Sequence, residues 1–535
     1  MRLYKLGIMN IKIWISSLLL SYGLVYGQSE KPPLDWHIQD GRGALKSEKA
    51  HQELLKGKQG RKIIVAVIDS GVDIEHEDLK DVLWVNTKEI PNNGIDDDKN
   101  GYIDDIHGWN FLGNSKKENV SQDSYELTRE YVRLSKKYAK VKSSKKPEFA
   151  YWEQVKKDFE SKKQEMEMQL ALIKPMYEGA IKNENLLKEA LNLKEITKSE
   201  VENFEPNSEE LTQAKESYLG LIILGITISD LKEYVDYLEK GLKYGYNPEF
   251  DPRSLVGDNP KKLNEKGYGN NDVKGPDAGH GTHVAGIIAA NRDNNIGIKG
   301  VSNNVLIMSI RAVPDGDERD KDIANAIYYA VDNGAHIINM SFGKAYSPNK
   351  DYVDQAVQYA ESKGVLLVHA AGNDAKNLEI EANYPNRFIK KNNKEVSNWL
   401  EIGASGWKSN NSEFIASFSN YGKTKVHVFS PGVDIYAPVP DFNQYKFNSG
   451  TSMAAPATSG VAALIMSYFP NLNAQEVKEI ILNSSTKITE KINKPGTKGA
   501  NSLLSDLCIS GGIVNAYEAI KLAEKKSKEK GRGNS

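Results

Sequence analysis

The sequence predicts an α/β fold, a doubly wound and mostly parallel sheet with helices on both faces. Uninterrupted β-branched runs, such as Arg61–Ile68 and Val365–Ala370, read as strands buried on both sides. Amphipathic stretches, Asp320–Asn333 and Asp351–Lys363, alternate with such runs, and this strand–helix rhythm is the signature of a parallel sheet. The first buried run ends in Asp69-Ser70-Gly71, placing an acid where sheets of this kind open their ligand crevice.

Composition sets the outer limits. The chain has 535 residues, 39% hydrophobic and 27% charged, enough for a large core and for a single α/β domain carrying an insertion. Lys+Arg 70 against Asp+Glu 72 leaves no global polarity, which speaks against a nucleic-acid or membrane-surface partner. The single cysteine, Cys508, excludes an intramolecular disulfide and reads as a packed small hydrophobe.

At the N-terminus, Lys5 and Lys12 precede a short apolar run, Ile13–Leu20, that continues to Val25-Tyr26-Gly27. Charged start, apolar middle and small residues at the end read as a secretory signal over residues 1–27, with no stable membrane insertion once it is cleaved. The protein is therefore expected outside the cytoplasm: extracellular, periplasmic or at the cell surface. Export without disulfides suggests another stabiliser, such as a bound metal.

A polar extension over residues 28–60 leads into the Arg61–Ile68 strand. Residues 92–111 then present Asp96, Asp98 and Asn100 in alternation, with Gly101 at the turn and Asp104 beyond it. This is the first half of an EF-hand loop without its closing glutamate, because His107 stands there. Two readings stay open: a surface loop holding calcium through carboxylates, or an acidic turn with no ion. Residues 115–243 are rich in Lys and Glu and nearly free of glycine, with an apolar stripe at helical spacing that includes Tyr151, Val155, Phe159 and Met166. They read as a helical insertion, punctuated by Pro175 and Pro206, between the two α/β-domain segments 61–114 and 244–525. Residues 526–535 read as a charged, disordered tail.

The stretch Phe447–Pro456 delivers Ser452 to the start of a helix-forming run, beside unpaired N–H groups and the positive end of the dipole. A serine N-cap would look the same. What tips the balance is upstream: glycines bracket His280 at another helix start, and Asp69 ends a buried strand. His280 and His283, three apart, also raise the thought of a metal, but no third ligand follows at zinc-like spacing. The chain order Asp, His, Ser is one of three known for the serine hydrolase triad. No histidine follows His427, which excludes the order with histidine last. A serine hydroxyl needs a base to attack, an imidazole titrates near neutrality, and an acid can fix its tautomer. Asn373, after a buried strand, is placed to aim an amide N–H at the developing oxyanion with the Ser452 backbone N–H.

Three motifs, Val67–Asp73, His280–Gly286 and Gly450–Pro456, closely resemble the signatures of the subtilisin-like serine endopeptidases, the subtilase family. The resemblance covers roughly residues 60–125 and 245–525 and implies hydrolysis of peptide bonds in protein or peptide substrates through an acyl-enzyme, with no cofactor in catalysis. It implies the same roles for Asp69, His280, Ser452 and Asn373. It further implies that Ser341-Phe342-Gly343 and Ala370-Ala371-Gly372 flank the substrate, and that Asp78 with loop Asn291–Ile298 holds structural calcium. Two features depart from the family: the insertion separates the Asp and His motifs, and the stretch from Gly27 to Arg61 is shorter than the usual folding pro-domain. The insertion is read as taking a chaperone-like, gating or substrate-selecting role. The alternative reading is a pseudoenzyme that binds extended peptides without cutting them.

Overall fold

The computed structural model describes residues 32–441, 443–497 and 499–533, so the expected signal segment 1–27 lies outside the described residues. Its centre is a nine-stranded sheet. Five strands carry the site: β1 (Ile63–Asp69), β2 (Gly108–Asn110), β3 (Val305–Arg311), β4 (Ile337–Met340) and β5 (Leu366–Ala370). They are followed by β6 (Trp399–Ser405) and β7 (Val428–Pro431), and the order across the sheet is β7-β6-β5-β4-β1-β3-β2 with two short strands beyond β7. Every pairing from β7 to β2 is parallel. The sheet reverses its winding where β1 lies between β3 and β4, with Asp69 opposite Arg311.

Alternation along β1 explains the two layers. Val65 and Val67 point to a core shared with helices Gly279–Ala289 and Thr451–Tyr468, whereas Ala66 and Ile68 point to a second core with helices Asp320–Asp332 and Lys350–Ser362. Both faces of the strand are therefore apolar, as a buried parallel strand requires. β2 escaped the sequence reading because three residues, Gly108-Trp109-Asn110, are too few to show a period.

By internal packing the chain divides into two units: Leu127–Phe250, and Pro32–Glu126 joined to the chain from Asp251 onward. The expected boundaries at 115 and 243 both move. Residues 121–123 exchange backbone hydrogen bonds with Asp315, which binds them to the sheet-bearing unit. At the other end Gly245 accepts from the Thr128 hydroxyl and Tyr246 packs on Phe159, so 244–250 stay with the helices. Within the helical unit, Pro147–Leu191 runs for 45 residues and continues through Pro175, where a break was expected; Pro206 does fall between helices. Pro175 removes one N–H, but its helix is held on either side by Met166, Ile173 and Ala180 packing on Leu231 and Tyr234. Among the described residues no helix is long and apolar enough to cross a membrane.

One further expectation is corrected. The charged tail is helical, within Ala516–Gly533, because Ala519, Ile520 and Ala523 are buried and Lys530 pairs with Glu476. The N-terminal extension joins the core: Trp36, Ile38, Leu45 and Leu55 are buried together with the serine helix. Its fastening is direct, since Ala516 N–H donates to the Leu45 carbonyl at 2.7 Å. Cys508 is buried and free, and burial raises its thiol above the ordinary value, as suits a packed side chain.

Candidate active site

Asp69 is the last residue of β1 and is almost fully buried. Its Oδ1 accepts from the Ser70 N–H at 2.8 Å and from His280 Nδ1 at 2.6 Å. His280 is the second residue of helix Gly279–Ala289, and the glycine after it makes the approach achievable. A β-carbon on Gly281 would stand 2.1 Å from the Gly71 carbonyl and 3.1 Å from Asp69 Cβ. Because a carboxylate faces Nδ1, that nitrogen carries the proton and Nε2 is left as the basic lone pair. Burial pulls the His280 pKa down, but the charge of Asp69 and its hydrogen bond outweigh this, so the imidazole titrates above its ordinary 6.5.

Ser452 is the second residue of helix Thr451–Tyr468, which packs against the histidine helix. Pro456 lies one turn further into this helix. Its missing N–H would have bonded to the Ser452 carbonyl, four residues earlier. That carbonyl instead accepts from the Ser341 hydroxyl at 2.9 Å. The Ser452 hydroxyl in turn donates to the Ser341 carbonyl at 3.1 Å rather than to His280. Ser341 is held from below, as Asn339 Nδ2 donates to its hydroxyl at 2.9 Å and Asn339 Oδ1 accepts from Ser459 at 2.8 Å. The Asp69–His280 pair is therefore made, while the Ser452 hydroxyl points to the neighbouring strand end.

Asn373 follows β5 on an exposed turn. Its Oδ1 accepts from both the backbone N–H and the hydroxyl of Thr451, each at 2.9 Å. With the oxygen occupied, the amide N–H₂ must face the other way. The place a β-carbon on Gly450 would take is 3.4 Å from Asn373 Nδ2 and 3.5 Å from Ser452 N, so the two donors converge beside the serine. Thr451, which fixes this orientation, lay inside the recognised motif but drew no role from the sequence.

The six expected substrate-flanking residues follow β4 and end β5, which run parallel with Met340 opposite His369. Ser341, Phe342, Ala370 and Ala371 are buried, while Gly343 and Gly372 reach solvent with backbone alone. Between the two stretches stands Asn383, which the sequence reading missed because no motif contains it. Its Nδ2 donates to the Ala371 carbonyl at 3.1 Å, and its Oδ1 lies 2.5 Å from where a β-carbon on Gly343 would be. Asn420 pins the same stretch by donating to the Ala371 carbonyl at 2.8 Å. His283 belongs elsewhere: its Nε2 lies 3.0 Å from the Ile435 carbonyl, and burial lowers its pKa to about 3.

The expected calcium residues divide. Asp96 and Asp98 do gather, with Glu89 as an unforeseen third, each offering a carboxylate oxygen within 4.8 Å of the others. Asn100 bonds beside them: its Oδ1 accepts from Tyr102 N–H and its Nδ2 donates to Asp98 and Asp105. Asp104 caps a turn instead, accepting from the N–H groups of Asn93 and Gly94. Asp78 is buried under loop 291–298, accepting from Asn294, Ile298 and the Tyr445 hydroxyl, and burial raises its pKa.

Residues 60–503 match the pattern of the subtilase family, peptidase family S8. The chain is 40% identical over 212 residues to the thermophilic serine proteinase of Bacillus sp. (strain AK1), covering 39% of this chain and 47% of that one. It is 35% identical over 212 residues to subtilisin DY of Bacillus licheniformis, covering 39% and 71%. With thermitase of Thermoactinomyces vulgaris the identity is 35% over 244 residues, covering 45% and 75%. The matched stretch thus spans about half of the first relative and more of the other two. A parallel sheet that delivers an aspartate, with two helix starts that deliver a histidine and a serine, agrees with a match running across most of the sequence: the chain belongs to the subtilase family.

Proposed function

We propose that this protein is an exported serine endopeptidase that cleaves peptide bonds through an acyl-enzyme on Ser452. The observation that carries the reading is the 2.6 Å hydrogen bond from His280 to Asp69, which leaves Nε2 as the basic nitrogen of the imidazole. On substrate binding the Ser452 hydroxyl leaves the Ser341 carbonyl and gives its proton to His280 Nε2 as its oxygen attacks the scissile carbonyl. The oxyanion is met by Asn373 Nδ2 and Ser452 N. The imidazolium, stabilised by Asp69, then protonates the leaving amine, and water releases the acyl group with His280 again as base. Alternatively, the protein binds peptides without cutting them, a reading favoured by the bond from Ser452 to Ser341. A fluorophosphonate separates the two: stoichiometric covalent labelling of Ser452 supports the peptidase, and an unreacted serine the binding module.

Asn373→Ala is expected to lower kcat by about 10²–10³ with KM little changed, the size known for losing one such donor in subtilisin, a relative. Steady-state kinetics on a fluorogenic peptide would check it. The residues gathered at Glu89, Asp96 and Asp98 suit a hard divalent cation, because all three supply carboxylate oxygen. Calcium there would cross-brace the turn that precedes β2. Saturating calcium, at about 100-fold over its Kd, should then add about 3 kcal/mol of stability and raise the Tm by a few degrees. The calcium-dependent shift, read by calorimetry with and without chelator, should vanish in Asp98→Asn.

A further inference from the structure

Immediately beyond Ser341-Phe342-Gly343, Lys344 turns inward until only 2% of its side chain is exposed. Its ammonium group reaches Glu126 Oε2 at 2.7 Å, Asp320 Oδ1 at 2.8 Å and the Glu318 carbonyl at 2.7 Å. Three contacts match the three donors of an ammonium, as a buried lysine needs. Its backbone is fixed as well, pairing in both directions with Tyr384, the residue after Asn383, at 3.0 and 2.9 Å.

The partners of Lys344 come from two stretches that are themselves tied together. Asp315 N–H donates to the Ser121 carbonyl, and Asp123 N–H donates to that of Asp315. Glu126 N–H donates to Asp317 at 2.9 Å. The Arg319 guanidinium holds Asp123 at 2.7 Å and Asp251 at 2.8 Å, gripping the chain where it leaves the sheet-bearing unit and where it returns. Lys344 is therefore the link between this braced root and the strand end that touches Ser452.

We propose that Lys344 is a positioning residue which, through Glu126, locks the Ser341–Gly343 stretch to the braced Ser121–Glu126 segment and so sets the preference for long over short substrates. This rests on the peptidase reading. Gly343 has no side chain to fix its own place, and the neighbouring Ser341 carbonyl is the group bonded to the nucleophile. A small displacement there alters the seat of an extended peptide, which would lie along backbone groups, more than it alters attack on a small ester.

The test uses the full chain with Glu126→Gln and Glu126→Ala, a fluorogenic hexapeptide, and p-nitrophenyl acetate, with active sites counted by fluorophosphonate. Glu126 is proposed to act on the substrate stretch through Lys344, so ester hydrolysis should stay at the wild-type level. The peptide KM should rise about tenfold in Glu126→Ala and less in Glu126→Gln, which keeps an acceptor oxygen. A peptide-to-ester ratio unchanged in both variants would overturn the proposal, even if the melting temperature falls, because it would leave Glu126 merely structural. A proportional loss on both substrates would overturn it too. A wild-type chain that does not react with fluorophosphonate would remove the peptidase reading and this one together.

Discussion

Ser452→Ala is expected to reduce kcat on a peptide substrate about 10⁶-fold, the scale known for loss of the nucleophile in subtilisin, a member of the same family. The reasoning is local. The methyl group left behind cannot form the acyl bond, whereas Asp69, His280 and Asn373 stay where the sheet and helices hold them. Only the 3.1 Å bond from the Ser452 hydroxyl to the Ser341 carbonyl is lost, from a half-buried position, so stability should change by no more than about 1 kcal/mol. His280→Ala should fall nearly as far, and the double variant no further than either single one, because the two act as a unit. Fluorogenic peptide assays on the three variants, with thermal melts alongside, measure both parts. Substantial activity in Ser452→Ala would mean that another group is the nucleophile.

The second large effect is expected from Asp69→Asn, with kcat falling about 10⁴-fold. An amide at this position can present a donor to Nδ1, which favours the wrong tautomer and takes the lone pair away from the serine side. The pH profile should change in a direction fixed by the structure. In the wild type Asp69 overcomes burial and raises the His280 pKa, so the acid limb of kcat/KM lies above pH 6.5. Without that charge, burial is opposed only by the weaker pull of Asp277, and the limb should move to lower pH. The linked stability runs the other way. A histidine whose folded pKa is raised stabilises the fold fully below its unfolded pKa, and that contribution disappears as pH rises through the folded pKa. Wild-type melts should therefore show the His280 contribution near pH 6 and lose it toward alkaline pH, while Asp69→Asn shows no such contribution.

Much of the fold was legible because its strands are long, apolar and bounded by glycine, as in Ile63–Asp69 and Leu366–Ala370. Such runs carry their own signal whatever surrounds them. The site was legible in part, for a different reason: three short motifs place chemistry-bearing residues at strand and helix ends, where backbone geometry leaves little choice. Asn383, Asn420 and Glu89 stayed hidden because their roles depend on contacts formed only after folding. Asn383, for example, earns its place by reaching two carbonyls, Ala370 and Ala371, from a loop. The insertion boundaries were blurred because a shift in composition marks where charge density changes, whereas backbone pairing to Asp315 decides where packing changes.

The burial of Trp36, Ile38, Leu45 and Leu55 sets a limit on how this chain can be matured. Removal of a leader ahead of Pro32 leaves those anchors in place. A cut inside residues 36–55 would strip large apolar side chains from the layer beneath the serine helix and free the Leu45 carbonyl that meets Ala516. The N-terminal arm thus behaves as a keystone, and trimming into it should destabilise the fold.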